Sequence, residues 1–223
     1  MKIVASGDWH LDMARAGYDF HDDIVRALNQ VVDATQGADL FVHLGDLFDN
    51  DHPSPRAYMT AMEALHEVPC PVVIVPGNHD PYAWAPLQHM GREILIANWP
   101  STYDILGKSF LIAGYLTDAE AKAGGRGKSA QQVVDEAFVD ARSVGVKAAF
   151  CHLDFMEAVV GENTTMRFCG LQIPAEALIS TFPIINGHIH KQQQVQSVHC
   201  PGSLVPGNVG ERLDVKGYVE LEV

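Results

Sequence analysis

The segment Val72-Val73-Ile74-Val75-Pro76-Gly77-Asn78-His79-Asp80 constrains this chain more than any other. Four apolar residues, three of them valine, read as a buried strand of a mainly parallel sheet. Pro76-Gly77 breaks that strand and leaves Asn78, His79 and Asp80 in the turn beyond its carboxyl end. Open α/β sheets put their chemistry at that edge. The same grammar recurs along the chain. Ile3–Ser6 runs into Gly7-Asp8-Trp9-His10, Leu40–Leu44 into Gly45-Asp46-Leu47-Phe48-Asp49, Val146–Cys151 into His152, and Phe182–Ile185 into Asn186-Gly187-His188-Ile189-His190. Five strand ends are therefore expected to converge on one polar site.

The connections between them have helical or hairpin patterns. An apolar stripe of Phe20, Ile24, Leu28, Val31 and Val32 predicts a helix over Tyr18–Thr35, closed by Gly37. Asp39–Leu44 is the next strand. Ser54-Pro55 suits the cap and first turn of a helix through about Glu67, with Tyr58, Met62 and Leu65 on the core face. Pro81–Met90 reads as loop or short helix, Ile94–Ala97 as a short strand, and Tyr103–Leu106 with Ser109–Ala113 as a hairpin. Ser129 caps a helix to about Val144, stopped by Gly145. Pro174–Ser180 suggests a short helix, and Gln193–Val198 and Gly217–Val223 closing strands. The Met156–Leu171 stretch has no clear period and is expected to form a loop that shapes substrate access.

With 223 residues, 47% hydrophobic and 19% charged, the chain suits one globular domain, 1–223. A net charge of −13 argues against a general electrostatic grip on nucleic acid or an anionic membrane. A phosphate held by metal ions remains compatible with it. Cys70, Cys151, Cys169 and Cys200 have no C-x-x-C spacing, so neither a structural zinc knot nor a redox pair is indicated. Asp8 follows Met1 too closely for a signal peptide of about 15 residues, and no apolar run reaches the ~18–20 residues of a membrane span. The expected compartment is the cytoplasm.

Two divalent ions a few ångström apart need a bridging carboxylate and neutral donors on each flank. Asp8, His10, Asp46 and His190 could hold one ion, and Asp46, Asn78, His152 and His188 the other. Mixed His, Asp and Asn donors suit manganese first, with iron, cobalt or zinc as alternatives. The remaining histidines, His21, His43, His52, His66, His89 and His199, are expected to be structural. Gly124-Gly125-Arg126-Gly127-Lys128-Ser129 imitates a phosphate loop, but Lys122 stands where that motif needs its first glycine. A basic loop and helix cap is the better reading, with Lys122, Arg126 and Lys128 as a weaker candidate backbone guide.

Asp8-x-His10, Gly45-Asp46-x-x-Asp49, Gly77-Asn78-His79-Asp80, His152 and Gly187-His188-x-His190 together resemble the five ordered motifs of the calcineurin-like metallophosphoesterases. The resemblance implies an α/β fold, a four-layer αββα sandwich with two mixed sheets and a dinuclear site at the strand ends. Within the family, Gly45-Asp46-Leu47-Phe48-Asp49, Pro53, Pro201-Gly202-Ser203-Leu204 and Lys216-Gly217-Tyr218 are similar to SbcD-type DNA-repair nucleases. That branch usually continues into a DNA-capping region and a segment for an ATPase partner, which puts an SbcC-type partner in doubt here.

The expected chemistry is in-line attack on phosphorus by a metal-bridging hydroxide. His79 would donate to a phosphoryl oxygen or protonate the leaving alkoxide, Asp80 would fix its tautomer, and Asp49 would orient His79 or a ligand. Asp49 and Asp80 also suit plain roles at a helix start and a turn. DNA is the leading substrate, for exo- or endonucleolytic cleavage. A small-molecule phosphoesterase acting on cyclic nucleotides or metabolites is the alternative. A protein phosphatase fits less well, since Asn50-Asp51 stands where that branch resembles Arg-Gly. A homodimer is the default assembly.

Overall fold

The computed structural model describes residues 1–80, 82–124, 127–160, 164–165 and 170–223. Its first sheet has strands β1 (Lys2–Ser6), β2 (Leu40–His43), β3 (Val72–Ile74) and β4 (Ile94–Ile96) side by side and parallel. A late strand of the chain, Val219–Glu222, joins the outer edge of β1 antiparallel. The second sheet begins with the hairpin β5 (Ser101–Ile105) and β6 (Lys108–Ala113), then runs parallel through β7 (Ala149–Cys151) and β8 (Ile184–Asn186). The hairpin of β9 (Gln193–Val195) and β10 (Val198–Cys200) completes it through β10 beside β8.

Alternation along β1 shows how the layers form. Val4 faces one side and packs with Leu28, Phe41 and Leu65 under the helices α1 (His21–Ala34) and α2 (Pro55–Glu67). Ile3 and Ala5 face the other side and join Val42, Val73, Phe110, Phe150 and Ile185 between the two sheets. Beyond the second sheet, Leu111, Ala149 and Ile184 pack on Val134, Phe138 and Ala141 of α4 (Ala130–Val144), which is preceded by α3 (Asp118–Gly124). Helix, sheet, sheet and helix make the four-layer sandwich, each layer burying the apolar face of the next.

The helix ends follow their sequence signals. Ser129 and Gln132 close a reciprocal capping box, and Gly145 ends α4 at φ 73°. Ser54 accepts from the Ala57 N–H, with Pro55 in the first turn. Three expectations need correction. Tyr18–Asp19 pairs with Ala14–Arg15 in a small hairpin, so α1 starts at His21, whose N–H donates to Asp19 Oδ1 at 3.0 Å. Ala57, Ala61 and Leu65 form the buried face of α2, leaving Met62 44% exposed, because small alanines let the helix lie close to the sheet. Gln193–Val198 is not one strand: it turns at Gln196, φ 54°, into β10. The 3-10 turn Ala85–His89 stands where a loop or short helix was expected, and Ala175–Ala177 where a short helix was expected. Part of the Met156–Leu171 stretch, with Pro81 and Arg126, lies outside the described residues.

Candidate metal centre

The strand ends turn their side chains inward through a strained backbone. Asp8, His10, Asp46 and His188 have φ of 51°, 47°, 51° and 69°, a region that costs an L residue about 1–3 kcal/mol. Interlocking turns hold them there. Asp8 N–H donates to Gly45 O at 2.9 Å and His10 N–H to Asp46 O at 3.1 Å. His79 N–H donates to Asp46 Oδ1 at 2.9 Å, and His188 N–H to the Asp8 carboxylate at 3.0 Å. The motif glycines make this closeness possible. A Cβ on Gly45, φ 97°, would lie 2.3 Å from His152 Nδ1, and one on Gly77 would lie 2.1 Å from Asp46 Oδ1.

Ligand-type atoms converge as a result. His10 Nε2 lies 3.1 Å from His190 Nε2 and 3.8 Å from Asp46 Oδ2, while Asp8 Oδ1 is 3.8 Å from His190 Nε2. His152 Nε2 lies 3.0 Å from Asn78 Oδ1 and 3.4 Å from Asp46 Oδ2. Three groups have all their ligand atoms within 4.8 Å of one another: Asp8, His10 and His190; His10, Asp46 and His79; and Asp46, His152 and His188. Asp46 stands in two of them.

The donors fit divalent cations on their own chemistry. His152 Nδ1 lies 2.7 Å from Leu44 O, which fixes its proton there and leaves Nε2 as the ligand nitrogen facing Asn78 and Asp46. His10 Nδ1 faces Asp49 Oδ1 at 3.3 Å, and His190 Nδ1 faces Glu211 Oε1 at 3.4 Å. These partners favour a proton on Nδ1 of each ring and leave the two Nε2 atoms facing each other. Converging lone pairs and carboxylates repel unless a cation lies between them. The buried charges also act on one another. Burial would raise the Asp46 carboxyl, but His152 and His10 outweigh it and hold it well below the usual carboxylate range. Burial would lower the His152 imidazole, but Asp46 and Asp8 push it up to about 9.

Three residues expected around the reacting centre fall as follows. His79 is exposed beside His10, ring centroids 4.9 Å apart, and its Nδ1 lies 3.0 Å from Asp49 O. The Asp49 carboxylate turns instead to His10 and to Arg15, whose Nη atoms donate to it at 2.9 and 2.8 Å. Burial opposes its ionisation, yet His10 and Arg15 hold its pKa at about 2. Asp80 does not fix the His79 tautomer. Its Oδ2 accepts from Phe48 N–H at 2.9 Å, in a buried setting that pushes its pKa up to about 7, with Asp46 adding to the rise. The backbone carbonyl of Asp49 fills the role expected of Asp80.

Among the other histidines, His43 lies fully buried, with Nδ1 accepting from Gly45 N–H at 3.2 Å and its ring on the edge of Trp9. Lys128 pairs with Glu136. Asp154 and Glu211 carry no signal in the sequence pattern. Asp154 Oδ1 lies 2.9 Å from His188 Nε2, which leaves Nδ1 as that ring's uncommitted nitrogen. An open pocket of about 400 Å³, lined by His10, Arg15, His79, His190, Val209 and Glu211, opens onto the His10 side of the site.

Residues 1–154 match the calcineurin-like phosphoesterase family, and the chain belongs to it. By class it is a metal-dependent phosphoester hydrolase. A curated relative, the SbcD component of the nuclease SbcCD from Staphylococcus saprophyticus subsp. saprophyticus, is 22% identical over all of this chain. The chain spans 66% of that relative's length. Among solved structures, TT1561 of Thermus thermophilus superposes with a TM-score of 0.53 at 18% identity, covering 91% of this chain and 89% of its own. At that identity the likeness concerns the fold. No helix among the described residues is long and apolar enough to cross a membrane.

Proposed function

We propose that the chain, as one domain over 1–223, is a dinuclear-metal phosphodiesterase, with DNA as the leading substrate for exo- or endonucleolytic cleavage. The observation that carries the dinuclear reading is that Asp46 stands in two donor groups, with His10 and His79 in one and His152 and His188 in the other, while Asp8 and His190 adjoin His10 and Asn78 adjoins His152. Asp8, His10, Asp46 and His190 would hold one ion, and Asp46, Asn78, His152 and His188 the second. Manganese suits these donors, with iron, cobalt or zinc as competitors. When bound, such ions lower the pKa of water and offset charge developing on phosphorus.

The chain's own residues supply the rest. His79 has Nδ1 committed to Asp49 O, so Nε2 is its working atom, exposed at the pocket mouth. From there it would hand a proton to the departing alkoxide or donate to a phosphoryl oxygen. Asp49 orients His10 through its carboxylate and His79 through its carbonyl, so one residue serves both a ligand and the proton donor. Asp80 supports the Asp46 turn from below through Phe48 N–H.

The similarity over the whole chain to a curated nuclease component supports DNA as substrate and an SbcC-type ATPase as a partner. A homodimer, the common default assembly, and a cytoplasmic site of action are proposed without support from that similarity. The net charge of −13 supports the second reading, a small-molecule phosphoesterase for cyclic nucleotides or metabolites. End-labelled single- and double-stranded DNA incubated with manganese and purified protein separates them. Shortening that disappears in His79→Ala, which should still bind metal, supports the nuclease. Intact DNA together with hydrolysis of an artificial phosphodiester moves the small-molecule reading to first place.

A further inference from the structure

We propose that Glu211 and Lys216 are positioning residues for the metal centre, acting together to present His190 Nε2 to an ion. The proposal rests on the metal reading above and adds two residues beyond the family-matched 1–154. His190 needs such help. Its imidazole is 31% exposed, whereas the side chains of His10, Asp46 and His152 are 3% exposed or less. A half-open ring can rotate about its χ2 bond or exchange its proton between nitrogens, and either change takes the lone pair away from His10 and Asp8.

The segment after Pro201 removes both freedoms. Glu211 Oε1 faces His190 Nδ1 at 3.4 Å and so places the ring proton on the far side from the centre. Gly207 N–H, at 3.2 Å, and the Asn208 amide hold the same carboxylate. Lys216 Nζ donates to Glu211 Oε2 at 2.7 Å, to His190 O at 2.8 Å and to Ser203 Oγ at 3.0 Å. All three ammonium protons are used. One cation therefore fixes the backbone of His190 directly and its ring through Glu211, closing a loop of contacts around a single residue. Gly202, φ 82°, lets the turn sit against that carbonyl, since a Cβ there would lie 2.8 Å from His190 O. A carboxylate behind a ligating imidazole raises its basicity and sets its orientation, and losing one typically weakens metal binding about 10–100-fold.

The test reads binding rather than turnover. Manganese is titrated calorimetrically into chelator-stripped wild type, Glu211→Ala and Glu211→Gln, and long-range nitrogen couplings report the His190 tautomer in the stripped proteins. Wild type should take two ions. Glu211→Ala should weaken one of them about 10–100-fold, leave the other nearly unchanged and shift proton occupancy from Nδ1 towards Nε2. Glu211→Gln keeps an acceptor oxygen and should fall between the two. A folded Glu211→Ala with both affinities and the tautomer unchanged, or with both affinities lowered equally, overturns the proposal. If that variant does not fold, Lys216→Met is read by the same criteria. Wild type that takes no manganese sinks the metal reading itself, a result distinct from failure of the positioning role.

Discussion

The two halves of the centre are held by different means. Asp8, His10, Asp46 and His152 follow the first two strands and β7, and all are buried at 3% exposure or less. Their supports are mostly backbone: left-handed turns, carbonyls such as Leu44 O, and glycines packed against the neighbouring ligand. His188 and His190, from the end of β8, have side chains 27% and 31% exposed and lean on Asp154 and Glu211. The first half is part of the fold, so a change there disturbs folding and chemistry together. The second half is mounted on the fold by side chains, so it can be detuned while the sandwich stays intact.

Perturbations chosen to break that contrast should fall in a definite order. Asp46→Ala removes the carboxylate common to two donor groups and should cost several kcal/mol of transition-state stabilisation, a turnover loss above about 10³-fold. Its metal stoichiometry, read by elemental analysis, should drop; full loading with normal turnover would refute the shared-carboxylate arrangement. Gly45→Ala forces an L residue to φ 97° with its Cβ against the His152 ring. Strain and overpacking together should destabilise the protein by about 2–6 kcal/mol in denaturant unfolding. Asp154→Ala should leave unfolding close to wild type yet weaken one ion about 10–100-fold, because it frees His188 Nε2. Should Asp154→Ala destabilise as much as Gly45→Ala, the division into built and mounted halves fails.

This contrast also explains what the sequence could reveal. Candidate ligands of the built half lie one to four residues beyond a strand end, two of them directly after a glycine, as in Gly7-Asp8 and Gly45-Asp46. Strand, glycine and ligand are one local pattern, so periodicity and turn chemistry expose them. Asp154 and Glu211 stand 34 and 21 residues from the histidines they hold, and Asn208, Glu211 and Lys216 follow no strand or helix period. Tertiary contact alone identifies Asp154, Asn208 and Glu211, and it alone gives Lys216, singled out in the sequence as part of Lys216-Gly217-Tyr218, a role beside His190. Burial competed with pattern elsewhere: Met62 is more apolar than Ala61, yet Ala61 is buried because α2 packs closely, and a hydrophobic stripe cannot register that distance. The role expected of Asp80 failed for a related reason, since adjacency to His79 along the chain does not bring its carboxylate to that ring.

His43 gives a smaller effect from beneath the built half. Burial, with repulsion from His152, lowers its pKa to about 3, so the folded protein keeps it neutral. Between about pH 6.5 and 3 the unfolded chain binds a proton there that the folded chain does not. Stability should therefore fall with falling pH across that window, by up to about 1.4 kcal/mol per pH unit from this residue. Unfolding at pH 7 and pH 5 should show a shallower loss for His43→Gln than for wild type. Equal slopes would mean that His43 is solvated on a path the closed turns do not reveal.

The smallest change tests the boundary of the reacting centre. Asp80→Asn replaces a carboxyl whose Oδ2 accepts from Phe48 N–H and whose Oδ1 has no partner, in a setting that already favours the neutral form below about pH 7. The amide oxygen can take over the Phe48 contact while its nitrogen occupies the unpartnered side. Turnover should change by less than about threefold, within ~0.7 kcal/mol, and the His79 ring should keep its contact with Asp49 O. A loss matching that of His79→Ala would join Asp80 to the proton donor after all and extend the reacting centre into the buried half. A near-silent result confines it to the exposed ring of His79 and the atoms it faces.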